Sequence, residues 1–247
     1  SHRVKMTTNT SKNFNAAKAG FTLVEVVIAL GILVVMITGF MAVFGPAART
    51  IKKTLSTDEA SRLQATLELE LRTVREGRER RRYQGDPFQK AIDWIAQSEQ
   101  QGETVIIYKY RGIPGQFRND GTLEPADRSL AIAGRDFLVQ PMVRRLSDPL
   151  FEEDLQGVEG RVFFVKLRQL VFEGRGLRVS EEPGSIIDPN VPGQDFAQSP
   201  ETYPEAVIAF EAEYYSLPTT TFAYLSGAFD PNNFTRPIFS RNLVVRR

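Results

Sequence analysis

The residue types and spacing with the clearest chemical potential lie near the N-terminus, in the segment "KAGFTLVE" at residues 18–25. The small residues Ala19 and Gly20 precede Phe21, and the carboxylate of Glu25 follows four residues later. A cut between Gly20 and Phe21 would create an ammonium group about one helical turn from this carboxylate. Opposite charges attract strongly in apolar surroundings. The segment therefore permits proteolytic processing followed by ion pairing through the new chain end.

Glu25 is the only ionisable side chain between Phe21 and Phe44. As a helix this apolar run would extend about 36 Å, which exceeds the roughly 30 Å of a bilayer's hydrocarbon core. An acid in such a helix costs about 2.5–3.5 kcal/mol at the centre and less near an interface. Two interpretations stay open. Glu25 lies in the headgroup zone and is tolerated there, or it meets a specific cationic partner in apolar surroundings.

The rest of the composition excludes several kinds of site. The chain has no cysteine, which rules out disulfides, thiolate metal ligands and cysteine nucleophiles. Its one histidine, His2, precedes the body, so neither a Ser-His-Asp triad nor a histidine-ligated zinc is available there. The acidic runs at 152–154 and 181–182 offer an acid–base pair only in principle, because nothing fixes their separation. We therefore expect no catalytic residue, no cofactor, no metal site and no enzymatic activity.

The apolar run, residues 21–45, follows a basic leader, residues 1–20. A secretory signal has a shorter apolar core, and its small residues come after that core. Here they come before it, which predicts cleavage on the cytoplasmic side, ahead of a membrane helix that is retained. Of the 31 Lys and Arg residues, four lie in the leader, which contains no acid. This charge favours a cytoplasmic N-terminus and places the rest of the chain outside the cytoplasm.

The body after the leader is slightly acidic, since 27 of the 31 basic residues remain to face all 30 Asp and Glu residues. Proteins that bind nucleic acid generally present a basic surface. Nucleic acid is therefore not expected as a partner.

The order "GFTLVE" followed by an apolar helix resembles the class III signal of type IV prepilins and type II secretion pseudopilins. The resemblance implies that a prepilin peptidase recognises Lys18 and Gly20, cleaves between Gly20 and Phe21, and methylates the new N-terminus at Phe21. It assigns Glu25 to subunit assembly. The chain departs from the family pattern at Ala19, because a basic residue usually stands immediately before the glycine and Lys18 stands one position earlier.

The resemblance spans about residues 16–50 and implies a structural and interaction protein. It implies a single-pass protein of the inner membrane, with a cytoplasmic N-terminus and an extracytoplasmic head, which is then built into a filament. The expected partners are prepilin peptidase, other pilin or pseudopilin subunits, the inner-membrane assembly platform and the lipid bilayer. The large head favours a minor pilin or pseudopilin, and the choice between a type IV pilus and a type II secretion system stays open.

Three other functions stay open. A filament- or membrane-tethered subunit for adhesion or DNA binding differs only in what the head touches. A membrane-anchored enzyme would need catalytic residues that the sequence does not specify. A simple membrane anchor explains the length of the apolar run, but it explains neither the order "AGFTLVE" nor the off-centre acid.

Residues 46–84 predict an amphipathic helix, because apolar residues recur there at helical spacing. Gly45-Pro46, at the start of this segment, predicts a kink or a short melted stretch. The six arginines between Arg72 and Arg82 predict a solvated helix end, with a partner- or DNA-binding patch as the alternative. The apolar stripe consists of Ile51, Leu55, Leu63, Leu67, Leu71 and Val74.

Residues 85–247 predict a β-rich head in which Trp94 anchors a short helix. Residues 181–204 predict a surface loop, and Asp-Pro turns at 188–190 and 230–233 are favoured over calcium ligands. Together the patterns predict an α+β fold, in which a long helix with a membrane half and an amphipathic half packs on an antiparallel β-sheet. The expected strands lie at 104–110, 161–174, 205–215 and 237–247.

Overall fold

The computed structural model describes residues 22–127, 129, 132–173, 176–180, 184–190 and 202–247. The chain forms two compact units, Ser1–Thr50 and Ile51–Arg247. The described part of the first unit is helical from Leu23 onward, and the second unit contains a β-sheet with helices packed on it.

Helix α1, Leu23–Leu71, contains the predicted membrane segment. It runs through Pro46 without interruption, so the melted stretch expected at Gly45-Pro46 is wrong. Proline has no N–H to donate to the carbonyl oxygen of Ala42, but this removes only one bond of the helix. The hydroxyl of Thr50 donates to the carbonyl oxygen of Pro46 at 3.1 Å and so adds a hydrogen bond in the following turn.

One side of α1 packs on the sheet in the second unit. Its buried residues recur at spacings of three and four, as expected for a helix with one apolar face. Ile51 and Leu55 are 59% and 58% exposed, so they do not belong to the buried stripe in which the sequence placed them. The buried residues of this side are Ala60, Leu63, Leu67 and Leu71.

The amphipathic helix predicted over residues 46–84 is shorter in the structure. α1 ends at Leu71, and a separate helix, α2, covers Arg78–Tyr83 after a turn. Thr73 lies two residues beyond the end of α1, and its carbonyl oxygen accepts a hydrogen bond from the buried ammonium of Lys90 at 2.8 Å. A tertiary contact therefore holds the chain in a turn where the apolar period alone favours helix.

Helix α3, Pro87–Gln97, carries Trp94 as predicted. Asp86 caps its start, because its carboxylate accepts a hydrogen bond from the backbone N–H of Phe88 at 2.8 Å. The ring of Trp94 is 2% exposed, and its centroid lies 4.6 Å from the ammonium of Lys90, which is a cation–π contact.

The sheet is antiparallel throughout, which confirms the predicted α+β class. Seven strands lie in the described residues: β1 Val105–Phe117, β2 Leu123–Pro125, β3 Leu138–Arg145, β4 Val158–Glu173, β5 Gly176–Val179, β6 Val207–Ser216 and β7 Phe239–Arg246. They pair in the order β2-β1-β4-β6-β7, with β3 beside β1 and β5 beside β4. The four strands predicted from the sequence correspond to β1, β4, β6 and β7.

The alternation of side chains along the strands divides the core into two layers. Ile107 of β1 belongs to the layer shared with α1 and α3. Ile106 and Tyr108 belong to the opposite layer, together with Phe151 of helix α4, Pro149–Gln156. The sheet therefore has helices on both faces in the second unit.

The sequence analysis did not predict β3 and α4. Pro141 lies within β3, and proline argues against a strand because it cannot donate a ladder hydrogen bond. Among the described strands β3 pairs only with β1, and such an edge position tolerates proline. α4 has only eight residues, and its clearest local signal is the cap at Asp148, which accepts from the N–H of Leu150 at 3.0 Å.

Arg144, near the end of β3, organises a buried ion cluster. Its guanidinium contacts the carboxylates of Asp154 at 2.8 Å, Asp120 at 2.8 Å and Asp148 at 3.0 Å. The hydroxyl of Tyr108 donates to Asp154 at 2.5 Å. Burial, followed by the negative charge of Asp154, raises the pKa of Tyr108 well above its usual value, so this tyrosine stays a donor. The cluster joins β1, β3 and α4 through charged hydrogen bonds.

The substitution Asp154→Asn is expected to lower the free energy of unfolding of the second unit by about 3 kcal/mol, because it removes a fully buried carboxylate that pairs with both Arg118 and Arg144. Glu152→Gln changes an exposed acid on the same helix and is the matched control, with an expected change below about 0.5 kcal/mol. Denaturant unfolding of the full chain in detergent micelles, followed by near-UV circular dichroism, measures both. Equal stabilities of the two variants would contradict a stabilising role for the cluster.

Candidate functional site

The candidate site predicted from the sequence is only partly described by the structure. Lys18, Gly20 and Phe21 lie outside the described residues, so their assignment to recognition, cleavage and methylation stays a prediction. Glu25 is described and occupies the third position of α1, and Thr22 directly precedes the helix.

Thr22 and Glu25 form a reciprocal cap at the start of α1. The backbone N–H and the hydroxyl of Thr22 each donate to Oε2 of Glu25 at 2.9 Å. The backbone N–H of Glu25 approaches Oγ1 of Thr22 at 3.2 Å. The first amides of a helix have no partner within it, and this arrangement, a capping box, satisfies two of them. The helix start is therefore fixed by the same acid that the sequence singled out for its charge.

The sequence analysis missed this role of Glu25. The signal was present in the spacing of Thr22 and Glu25, because a threonine followed three positions later by a glutamate before an apolar run is the usual pattern of a capping box. The cap is compatible with both interpretations of Glu25, namely tolerance in the headgroup zone and pairing with a cation. In either case the carboxylate is stabilised by hydrogen bonds from Thr22 of its own chain.

The capping bonds leave one oxygen of Glu25 available. Both donors from Thr22 reach Oε2, and Oε1 accepts no hydrogen bond from the described residues. An ionised carboxylate accepts at both oxygens. A cation can therefore pair with Oε1 while the cap stays intact, so the capping role and the pairing role are compatible.

The helix after the cap is a candidate membrane span, Leu23–Phe44, of 22 residues. Its residues are exposed in the described part of the chain, and Leu23 is 82% exposed. The one hydroxyl group in its middle, that of Thr38, donates to the carbonyl oxygen of Val34 at 2.8 Å and so needs no water. A helix of this length extends about 33 Å, enough to cross a hydrocarbon core.

The six arginines between Arg72 and Arg82 are not a free basic surface. Three of them have acidic partners, which lowers the positive charge available to a polyanion. These ion pairs join Arg75 to Glu70, Arg80 to Glu76 and Arg82 to Asp93. This favours the solvated interpretation over a partner- or DNA-binding patch. The arginines are not the end of one long helix as predicted, because α1 ends at Leu71 and α2 begins at Arg78.

Of the two acidic runs considered as acid–base pairs, the structure describes residues 152–154, and these do not form an acid–base pair. Asp154 is fully buried, contacts Arg118 at 2.5 Å and Arg144 at 2.8 Å, and has a structural role. Residues 181–182 lie outside the described residues. Within the described ranges no three His, Cys, Asp or Glu side chains come together in a way that could hold a metal ion.

The two Asp-Pro segments form turns, as the sequence favoured. The carboxylate of Asp188 accepts from the backbone N–H of Asn190 at 2.8 Å, and that of Asp230 accepts from the N–H of Asn232 at 2.9 Å. Both are Asx turns, in which the aspartate satisfies the backbone two residues further on.

The capping box predicts that Thr22→Val frays the first turn of α1, because valine lacks the hydroxyl that accepts from the amide of Glu25. A lost cap costs about 1 kcal/mol, which corresponds to roughly fivefold faster amide exchange. Hydrogen exchange of the Glu25 amide in the full chain in micelles measures this effect, and Thr22→Ser, which keeps the hydroxyl, is expected to match the original chain. Equal protection in Thr22→Val and Thr22→Ser would show that the cap is not formed.

Comparison with known protein families gives a match over the segment around this cap. Residues 15–41 match the prokaryotic N-terminal methylation motif. No curated protein and no solved structure matches the chain. The match includes the predicted cleavage position, Thr22, Glu25 and most of the candidate span. The N-terminal segment of this chain is therefore a type IV prepilin-like signal joined to a candidate membrane helix.

Proposed function

We propose that the protein is a minor pilin or pseudopilin, which a prepilin peptidase cleaves between Gly20 and Phe21 and which is then incorporated into a type IV pilus-like or type II secretion filament. The observation that carries this proposal is the methylation motif over residues 15–41, which coincides with an exposed apolar helix that has an acid in its first turn. In this proposal the protein is a structural subunit and not an enzyme.

In the proposed mechanism, processing supplies the cationic partner of Glu25. Cleavage exposes an ammonium at Phe21, and methylation of this nitrogen preserves its positive charge. Oε1 of Glu25 accepts no hydrogen bond from the described residues and is the natural acceptor for the ammonium of a neighbouring subunit. Such a contact is head to tail, and repeated head-to-tail contacts generate an open helical filament.

The exposed span offers a surface on which neighbouring helices can pack. A Cβ atom at Gly31 or Gly39 would meet nothing within 4 Å, so packing within the chain does not require glycine at either position. Small residues allow helices in a membrane to approach closely. These glycines support a helix that exchanges lipid contacts for contacts with other subunits during assembly.

The proposed location follows from the order of the segments. Before processing, the protein is a single-pass protein of the inner membrane, with the basic leader in the cytoplasm and the head outside it. The inner-membrane assembly platform then transfers the processed subunit into the filament. The large sheet-containing head supports a minor subunit, because a bulky head restricts how closely identical subunits pack.

Co-expression of the full chain with a prepilin peptidase is expected to remove residues 1–20 and to leave one methyl group on Phe21. Mass spectrometry of the N-terminal peptide measures both changes. The variant Gly20→Val is expected to keep its leader, because a branched side chain replaces the small residue at the scissile bond. Material that keeps its leader in the presence of an active peptidase would exclude the proposed processing.

Glu25→Gln is expected to insert in the membrane normally but to reduce incorporation into filaments at least about tenfold, because it removes the charge that pairs with the ammonium of a neighbour. Glutamine also serves as the acceptor in a capping box, so the helix start is preserved. Quantitative immunoblotting of sheared filaments against membranes measures incorporation.

Asp58→Asn is the matched control for this test, because Asp58 is an exposed acid on the same helix outside the span. It is expected to assemble like the original chain. If Glu25→Gln assembles equally well, the ion pair is not required and the proposed mechanism fails.

A further inference from the structure

A cavity of about 130 Å³ lies in the second unit where α2, the end of β3 and the start of α4 meet. A buried water needs only about 10–15 Å³, whereas pockets for drug-sized ligands measure about 300–1,000 Å³. The cavity therefore has room for a small organic molecule, and it is too small for a nucleotide.

The walls of this cavity carry aromatic and aliphatic surface. Tyr83 and Trp94 line it, and both are at most 3% exposed. Pro149 and Leu150, at the start of α4, add aliphatic groups. Walls of this kind favour a ligand with an apolar body, which is held in orientation by a few polar contacts.

The carboxylates at the cavity already have cationic partners. Each lies within ion-pair distance of a basic side chain of the head, so a ligand meets acids whose charge is largely neutralised. These pairs are Glu76 with Arg80, Glu79 with Lys90, and both Asp120 and Asp148 with Arg144.

Two guanidinium groups at the cavity retain donor capacity. The side chain of Arg145 is 6% exposed and pairs with Asp93 and Glu103, yet its Nε has no hydrogen-bond partner in the described part of the chain. A buried N–H without an acceptor is unfavourable. Arg78 is exposed, donates to the carbonyl oxygen of Ser147 at 3.3 Å, and makes no ion pair with a described residue.

We propose that this cavity binds a small monocarboxylate with an apolar body. Its carboxylate is held by the guanidinium groups of Arg78 and Arg145, which both line the cavity, and its apolar part packs on Trp94 and Tyr83. A planar carboxylate matches the donor geometry of guanidinium groups. A strongly hydrated ion such as phosphate loses more solvation against these walls. The site concerns the head alone, so it does not depend on the function proposed above.

Trp94 is the only tryptophan of the chain and lines the cavity, so its fluorescence reports binding directly. The full chain in detergent micelles is titrated with phenylacetate, which is expected to produce a saturable change in this fluorescence. Phenylacetamide has the same shape without the charge and is expected to bind at least about tenfold more weakly. Inorganic phosphate is expected to give no saturable change.

Arg78→Gln is expected to weaken phenylacetate binding about tenfold. Arg81→Gln is the matched control, because Arg81 is exposed on the same helix and does not line the cavity. Near-UV circular dichroism checks that both variants keep the fold. The proposal is overturned by the absence of a saturable signal, by phosphate or phenylacetamide binding as tightly as phenylacetate, or by equal affinities of the two variants.

Discussion

A charged group that leaves water needs a partner, and this constraint acts in both units of the chain. In the first unit the carboxylate of Glu25 accepts two hydrogen bonds from Thr22 at the start of an apolar helix. In the second unit Arg144 is held among three aspartates beneath the sheet. Arg144 needs its partners because it is buried, since desolvation of an isolated ion costs several kcal/mol and only close, well-oriented partners offset it. Glu25 is exposed in the structure, and the same cost falls on it only in the membrane location proposed above. The two sites differ in one further respect: Oε1 of Glu25 accepts no hydrogen bond from the described residues and can still accept one from a cation.

The same constraint determines how the helices of the head are arranged. The ammonium of Lys90 is fully buried and contacts Glu70 at 2.5 Å and Glu79 at 2.7 Å. The hydrophobic effect that buries the apolar face of α3 is not directional. Ion pairs require specific distances and angles. The Lys90 contacts therefore hold α3 against the end of α1, with the ring of Trp94 next to the ammonium of Lys90.

The general architecture was accessible from the sequence because it rests on periodic patterns. The alternation along residues 205–215 predicted β6, and its buried residues Ile208, Phe210 and Tyr214 lie on one face as expected. The end of α1 was not accessible, because Lys90 lies nearly twenty residues beyond the turn that it stabilises. β3 was missed because its proline is acceptable only at a sheet edge, and the edge is a property of the whole fold. For the candidate site, the acid was identified from its isolation in an apolar run. Its role in the cap follows from the spacing of Thr22 and Glu25, which the sequence analysis did not consider because it interpreted Glu25 only as a charge.

The proline within α1 has a consequence for the depth at which the helix sits. Pro46 cannot supply the N–H that would otherwise bond to the carbonyl oxygen of Ala42, and an unsatisfied carbonyl is costly in hydrocarbon but is readily hydrated by water. In the proposed membrane location, the headgroup layer therefore begins close to Ala42, near the end of the candidate span at Phe44. The polar cap at Thr22 marks the other end of the segment that a bilayer would cover in that location.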